Sequence, residues 1–173
     1  MKSVLISIKP KWVERIASGQ KTIEVRKTAP QLQVPFKCYI YETKGQYVKF
    51  THGAHTKYGY GRGKVIGEFI CDKVDEYPYD YCDGVDIDDD TILETAIDRE
   101  DINIYAKGKT LYGWHISDLK LYDSPKKLSE FYITCKEKSC QMCDAEREYD
   151  VCAFGRKKPI TRPPQSWQYV EEL

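Results

Sequence analysis

Within six residues, Lys21, Thr22, Glu24 and Arg26 bring together an amine, a hydroxyl, a carboxylate and a guanidinium. A carboxylate accepts hydrogen bonds from the edge of a base, and a guanidinium forks onto a phosphate. The group could therefore recognise a nucleotide. With Lys21 as electrostatic stabiliser, Glu24 as general base and Arg26 as phosphate clamp, it could also cut one. If 21–26 is a single strand, Thr22, Glu24 and Arg26 share one face while Lys21, Ile23 and Val25 share the other. From spacing alone, a structural ion pair between Glu24 and Arg26 is the simpler explanation.

A second group lies near the C-terminus, where Arg162-Pro163-Pro164-Gln165-Ser166-Trp167 sets polar donors beside an indole on a rigid Pro-Pro turn. Trp167 is either a plane for an unstacked base or a clamp that packs the last strand. Trp12, Trp114, Trp167 and 14 tyrosines offer such planes, although most must be core. A lone His115 after a Trp on a strand gives no reason to assign it a catalytic role. Four cysteines read Cys135-x4-Cys140-x2-Cys143-x8-Cys152. Four thiolates so placed could hold a closed, structural zinc, but the spacing is not the usual pair of close doublets, and reduced thiols fit it as well.

The elements that must position these groups follow from pattern. Val4, Ile6 and Ile8 predict a strand over 4–8, stopped by Pro10. Trp12, Val13, Ile16 and Ala17 recur at helical spacing, with Pro10 at the start and Gly19 just past the end. Strands are expected over 21–26 and 36–43, and a glycine-rich stretch at 44–63 reads as a long loop or lid. Residues 63–74 form the strongest strand signal, with Gly63 and Gly67 suggesting a bulge or a close backbone approach. An acidic capping helix is expected within 83–101, a strand over 112–122, a short helix after Ser124-Pro125, and a final strand at 167–170. This order predicts an α+β domain whose mainly antiparallel sheet curls into a barrel.

Gly19-Gln20-Lys21-Thr22-Ile23-Glu24-Val25-Arg26 behind an N-terminal helix resembles the signature of ASCH domains. The strand from Gly63 to Phe69 and the run Gly113-Trp114-His115-Ile116 with Ser124-Pro125 and Phe131 resemble the family's later elements, in the same order. The resemblance implies a PUA-like fold and a polar cleft for RNA or a nucleotide, lined here by Lys9, Trp12, Lys21, Thr22, Glu24 and Arg26, with Arg162, Ser166 and Trp167 as further candidates. Some relatives are amidohydrolases on acetylated cytidine, with a threonine nucleophile where this chain has Glu24. A carboxylate is a poor substitute in amide cleavage. Ribonuclease activity is also implied for some relatives, with Lys21 and Glu24 as the catalytic pair.

Length and composition bound these possibilities. The 173 residues suit one domain over 1–173, with a Cys-containing insertion at about 134–158. With 27 basic and 27 acidic side chains, the net charge of zero argues against sequence-blind binding to long DNA. No run approaches a membrane span and the first apolar stretch is too short for a signal peptide, so a cytoplasmic protein is expected, with Cys38, Cys71 and Cys82 as reduced thiols. The first expectation is an RNA- or nucleotide-binding module that requires no cofactor. The alternatives are a hydrolase of RNA or a modified nucleoside, and a domain that docks another protein through its cysteine-rich and acidic segments.

Overall fold

The computed structural model describes residues 2–52, 55–134 and 157–171. The chain begins with strand β1 (Lys2–Ile8), whose residues from Ser3 onward are all buried. Both its faces are covered, which explains an apolar run with so little polar alternation. Lys9 is extended, Pro10 occupies the first turn of helix α1 (Pro10–Ala17), and Gly19 follows at φ 74°, a left-handed conformation that favours glycine. Strands β2 (Ile23–Arg26) and β3 (Phe36–Glu42) come next. After them, β4 (Gly45–His52) and β5 (His55–Gly61) pair antiparallel.

This hairpin replaces the loop expected over 44–63. Tyr47, Val48, Tyr58 and Tyr60 favour strands, and the glycines serve close approach rather than mobility: the Tyr47 ring lies across Gly59, where a Cβ would meet it at 2.4 Å.

Strands β6 (Lys64–Cys71) and β7 (Val74–Tyr77) divide what reads as one strand, and they enter different sheets. Short β8 (Tyr79–Asp80) and β9 (Gly84–Val85) precede two helices, α2 (Asp89–Thr95) and α3 (Arg99–Ala106), where one was expected. Asp88 caps α2 by accepting from the Thr91 amide at 2.9 Å, and Ala96, left-handed at φ 54°, ends it. The strand expected over 112–122 also divides, into β10 (Leu111–His115) and β11 (Ser117–Lys126). The expected short helix is a single 3-10 turn, Leu128–Glu130, followed by β12 (Tyr132–Thr134), β13 (Lys157–Pro159) and β14 (Trp167–Glu171).

A five-stranded sheet of order β11-β6-β3-β1-β14 stands against a three-stranded sheet of order β2-β10-β7. Pairing is antiparallel throughout except between β1 and β3. The α+β class and the strand-rich content are as expected. Among the described residues these two sheets share no strand pairing and neither closes on itself, so the strands described do not establish the expected barrel. Between them, Val4, Ile6, Ile8, Cys38, Phe69 and Trp114 pack with Val13 and Ile16 of α1. Near Gly67 the register of β6 against β3 shifts by a residue, and a Cβ on Gly67 would lie 2.5 Å from the Lys120 carbonyl oxygen. Both features expected of that glycine are present. No helix among the described residues is long and apolar enough to cross a membrane.

Candidate functional site

Strand β2 is an edge strand, and Trp114 of β10 is the cross-strand partner of Glu24, as Tyr112 is of Arg26. Directly opposed residues share a face. Glu24 and Arg26 therefore lie on the side of β2 that Trp114 turns to the core between the sheets, and both are buried.

Lys21 is not part of that strand. After Gly19 the chain turns back, its Lys21 amide donating to the Arg15 carbonyl and its Thr22 amide to the Glu94 carbonyl. Freed from strand alternation, the Lys21 side chain reaches the face from which a continuous strand would have excluded it. Its ammonium donates to the carbonyls of Ile23 at 2.8 Å and Thr95 at 2.7 Å and pairs with Glu24 Oε2 at 3.3 Å. Thr95 is the last residue of α2, where helix carbonyls lack helical partners and attract a cation. Lys21 is only 1% exposed; burial pulls its pKa below the usual lysine range, with Glu24 opposing the shift.

Glu24 Oε1 pairs with Arg26 Nη2 at 2.8 Å, and the same nitrogen donates to the Ser7 carbonyl at 2.7 Å. Nη1 meets Ser166 Oγ only at 3.4 Å, and the buried Nε has no partner among the described residues. The cluster thus holds one cation whose three donors are spent, a carboxylate bridging two cations, and a guanidinium with donors in reserve. The 162–166 turn is fastened here as well: Ser7 donates its hydroxyl to the Pro164 carbonyl at 2.7 Å, and its amide donates to the Ser166 carbonyl at 2.9 Å.

Trp12 lies over the other end of the cluster. Its ring has the Lys21 ammonium 5.4 Å from its centroid, Lys11 at 4.5 Å and Arg15 at 5.2 Å. The indole is half-buried, an aromatic plane ringed by cations.

Of the residues singled out in the sequence, the structure joins Trp12, Lys21, Glu24, Arg26 and Ser166. Trp167 is beside them but engaged: its indole donates to Thr28 Oγ1 at 3.0 Å and its ring meets Trp114 and Tyr169 edge to face. These contacts fit the clamp, one of its two expected roles. Lys9, Thr22 and Arg162 are exposed, and no side-chain hydrogen bond or ion pair of the cluster runs to them. Cys135, Cys140, Cys143 and Cys152 lie outside the described residues. Among the described ones, no group of three or more His, Cys, Asp or Glu could hold a metal ion.

Sequence reasoning missed Ser7 and Thr95, which serve through backbone carbonyls and carry no side-chain signal. It also missed Lys11 and Arg15, whose spacing around Trp12 on a helix was there to be used.

The profile described as ASCH domain matches residues 6–154. The chain belongs to the ASCH domain family. Similar solved structures agree on the fold. ASCH from Zymomonas mobilis is 18% identical with a TM-score of 0.56, over 98% of this chain and 88% of that one. A serine-to-alanine mutant protein from that organism is 17% identical with a TM-score of 0.57, over 98% and 89%. A tyrosine-to-phenylalanine mutant is 16% identical with a TM-score of 0.55, over 99% and 92%. No curated protein matches the sequence. In this ASCH domain the Lys21–Glu24–Arg26 triad, carried by the motif, is the buried polar centre of the fold.

Proposed function

We propose that this ASCH domain binds RNA, or a nucleotide derived from it, with a base against Trp12 and a phosphate or base edge against Arg26. The observation that carries this reading is the state of Arg26. Its guanidinium is fixed by Glu24 and the Ser7 carbonyl, yet it keeps a buried Nε with no partner among the described residues and a long contact to Ser166. A buried donor left unsatisfied is costly, and a ligand acceptor would repair it. Glu24, with each oxygen already accepting from a cation, positions Arg26. Lys21 fixes Glu24 and adds positive charge beneath Trp12. Aromatic stacking with adjacent cations suits an unstacked base and its phosphate.

The test is calorimetry with nucleoside monophosphates, modified cytidines and short single-stranded RNAs. Trp12→Ala should weaken binding by roughly tenfold, as loss of one stacked base does. Arg26→Lys, which keeps the charge and loses the fork, should weaken it comparably. Binding unchanged in both variants would sink the reading.

Hydrolysis is a second reading, favoured by the 3.3 Å approach of Lys21 to Glu24 and by the lowered lysine pKa. Against it stands the lysine's full set of acceptors, which leaves no donor for a substrate. Product formed in the binding mixtures, and lost in Lys21→Met, would promote this reading.

A further inference from the structure

Between Glu42 and Glu68 the sequence contains no Asp or Glu but carries Lys44, Lys49, Lys57, Arg62 and Lys64. In a chain of zero net charge this is a concentrated basic segment, and the fold makes it the β4–β5 hairpin and its flanks.

The hairpin has two unlike faces. Tyr47 turns toward α1, where the Tyr47 hydroxyl hydrogen-bonds Glu14 and Lys49 pairs with the same carboxylate at 3.1 Å. Gly59, opposite Tyr47, leaves room for that ring. The other face carries the opposed pairs Val48 with Tyr58 and Gln46 with Tyr60. There Val48 is 54% exposed, Tyr58 49% and Tyr60 70%, values that a two-stranded ribbon with a buried side would not show on that side. Tyr58 and Tyr60 are two residues apart on one strand, so their rings stand roughly 6.8 Å from each other along it. Lys44, Arg62 and Lys64 are exposed at the hairpin's base; Arg62 is tied to Glu42 chiefly through its backbone amide, at 2.8 Å, with its side chain 3.9 Å away.

We propose that this outer face is a second contact surface for single-stranded RNA, with Tyr58 and Tyr60 as successive stacking planes and Lys44, Arg62 and Lys64 as phosphate contacts. Paired aromatics flanked by cations, on a segment with no acidic residue between Glu42 and Glu68, match a strand of bases joined by phosphates; a protein partner would not require such one-sided charge. The inference rests on the reading of this domain as an RNA binder but places contacts outside the Arg26 cluster.

The experiment compares UMP by calorimetry with a labelled oligouridylate of about ten nucleotides by fluorescence anisotropy. The proteins are the unaltered chain, a Tyr58→Ala/Tyr60→Ala variant and a Lys44→Gln/Arg62→Gln/Lys64→Gln variant, each with its melting temperature. The aromatic variant should bind the oligomer at least roughly tenfold more weakly. The charge variant should lower the slope of log affinity against log salt by roughly 2, at about 0.7 per lost single-strand phosphate contact. UMP binding should be unchanged in both. If the unaltered chain does not bind the oligomer, or both variants bind it as the unaltered chain does, the hairpin proposal is overturned whatever UMP does. If the oligomer binds through the hairpin and UMP does not bind at all, the proposal stands and the Arg26 reading falls.

Discussion

Replacing Glu24 by alanine removes the carboxylate that pairs with two buried cations, Lys21 and Arg26. Lys21 would keep the Ile23 and Thr95 carbonyls, and Arg26 would keep the Ser7 carbonyl. Breaking a buried pair by deleting one partner destabilises by about 3–5 kcal/mol, because the surviving charge stays buried and uncompensated. The remaining carbonyls put this case at the lower end, about 3 kcal/mol. For a domain of this size that corresponds to a fall in melting temperature of roughly 6–12 °C. Urea unfolding followed by tryptophan fluorescence would measure it. In the double variant Glu24→Ala/Lys21→Met the buried ammonium is gone too, so the combined loss should fall short of the sum of the single losses by about 1–3 kcal/mol. A loss for Glu24→Ala below about 0.5 kcal/mol, the range of exposed pairs, would refute the claim that the cluster is a desolvated network.

Lys21 also makes a prediction about pH. A lysine whose folded pKa lies below its unfolded 10.5 binds fewer protons folded than unfolded between the two values. Stability should therefore rise with pH through that window and level off above 10.5. The difference between the unaltered chain and Lys21→Met, measured by urea unfolding across the alkaline range, isolates this from the tyrosines; a flat difference would contradict the burial. Gly67→Ala sets a Cβ 2.5 Å from a backbone oxygen that cannot swing aside, and should destabilise by about 1–3 kcal/mol in the same assay.

Much of this architecture was written in local pattern. Pro10 and Gly19 bracket α1, Asp88 caps α2, and Gly67 marks the bulge of β6, because each answers to a conformational rule confined to a few neighbours. What escaped was tertiary. The division of β6 from β7 and of β10 from β11 reflects which sheet each half joins, and no two-residue period records that. The hairpin at 44–61 was hidden by glycines that make space for Tyr47 and Pro10 rather than loosen the chain. At the site, Glu24 and Arg26 were legible as a pair, but Lys21 was assigned to the opposite face because it was counted into a strand that starts two residues later. Trp167 carried equal signals for stacking and clamping, and its contacts with Thr28 and Trp114, which fit the clamp, arise from segments distant in sequence.

The most direct test of the central claim is a crystal structure of the domain with a single-stranded dinucleotide bound at saturation. The account predicts a base stacked on Trp12 at ~3.5 Å and a ligand oxygen accepting a hydrogen bond from the Arg26 guanidinium. A dinucleotide seated elsewhere, with Trp12 and Arg26 untouched, would contradict it.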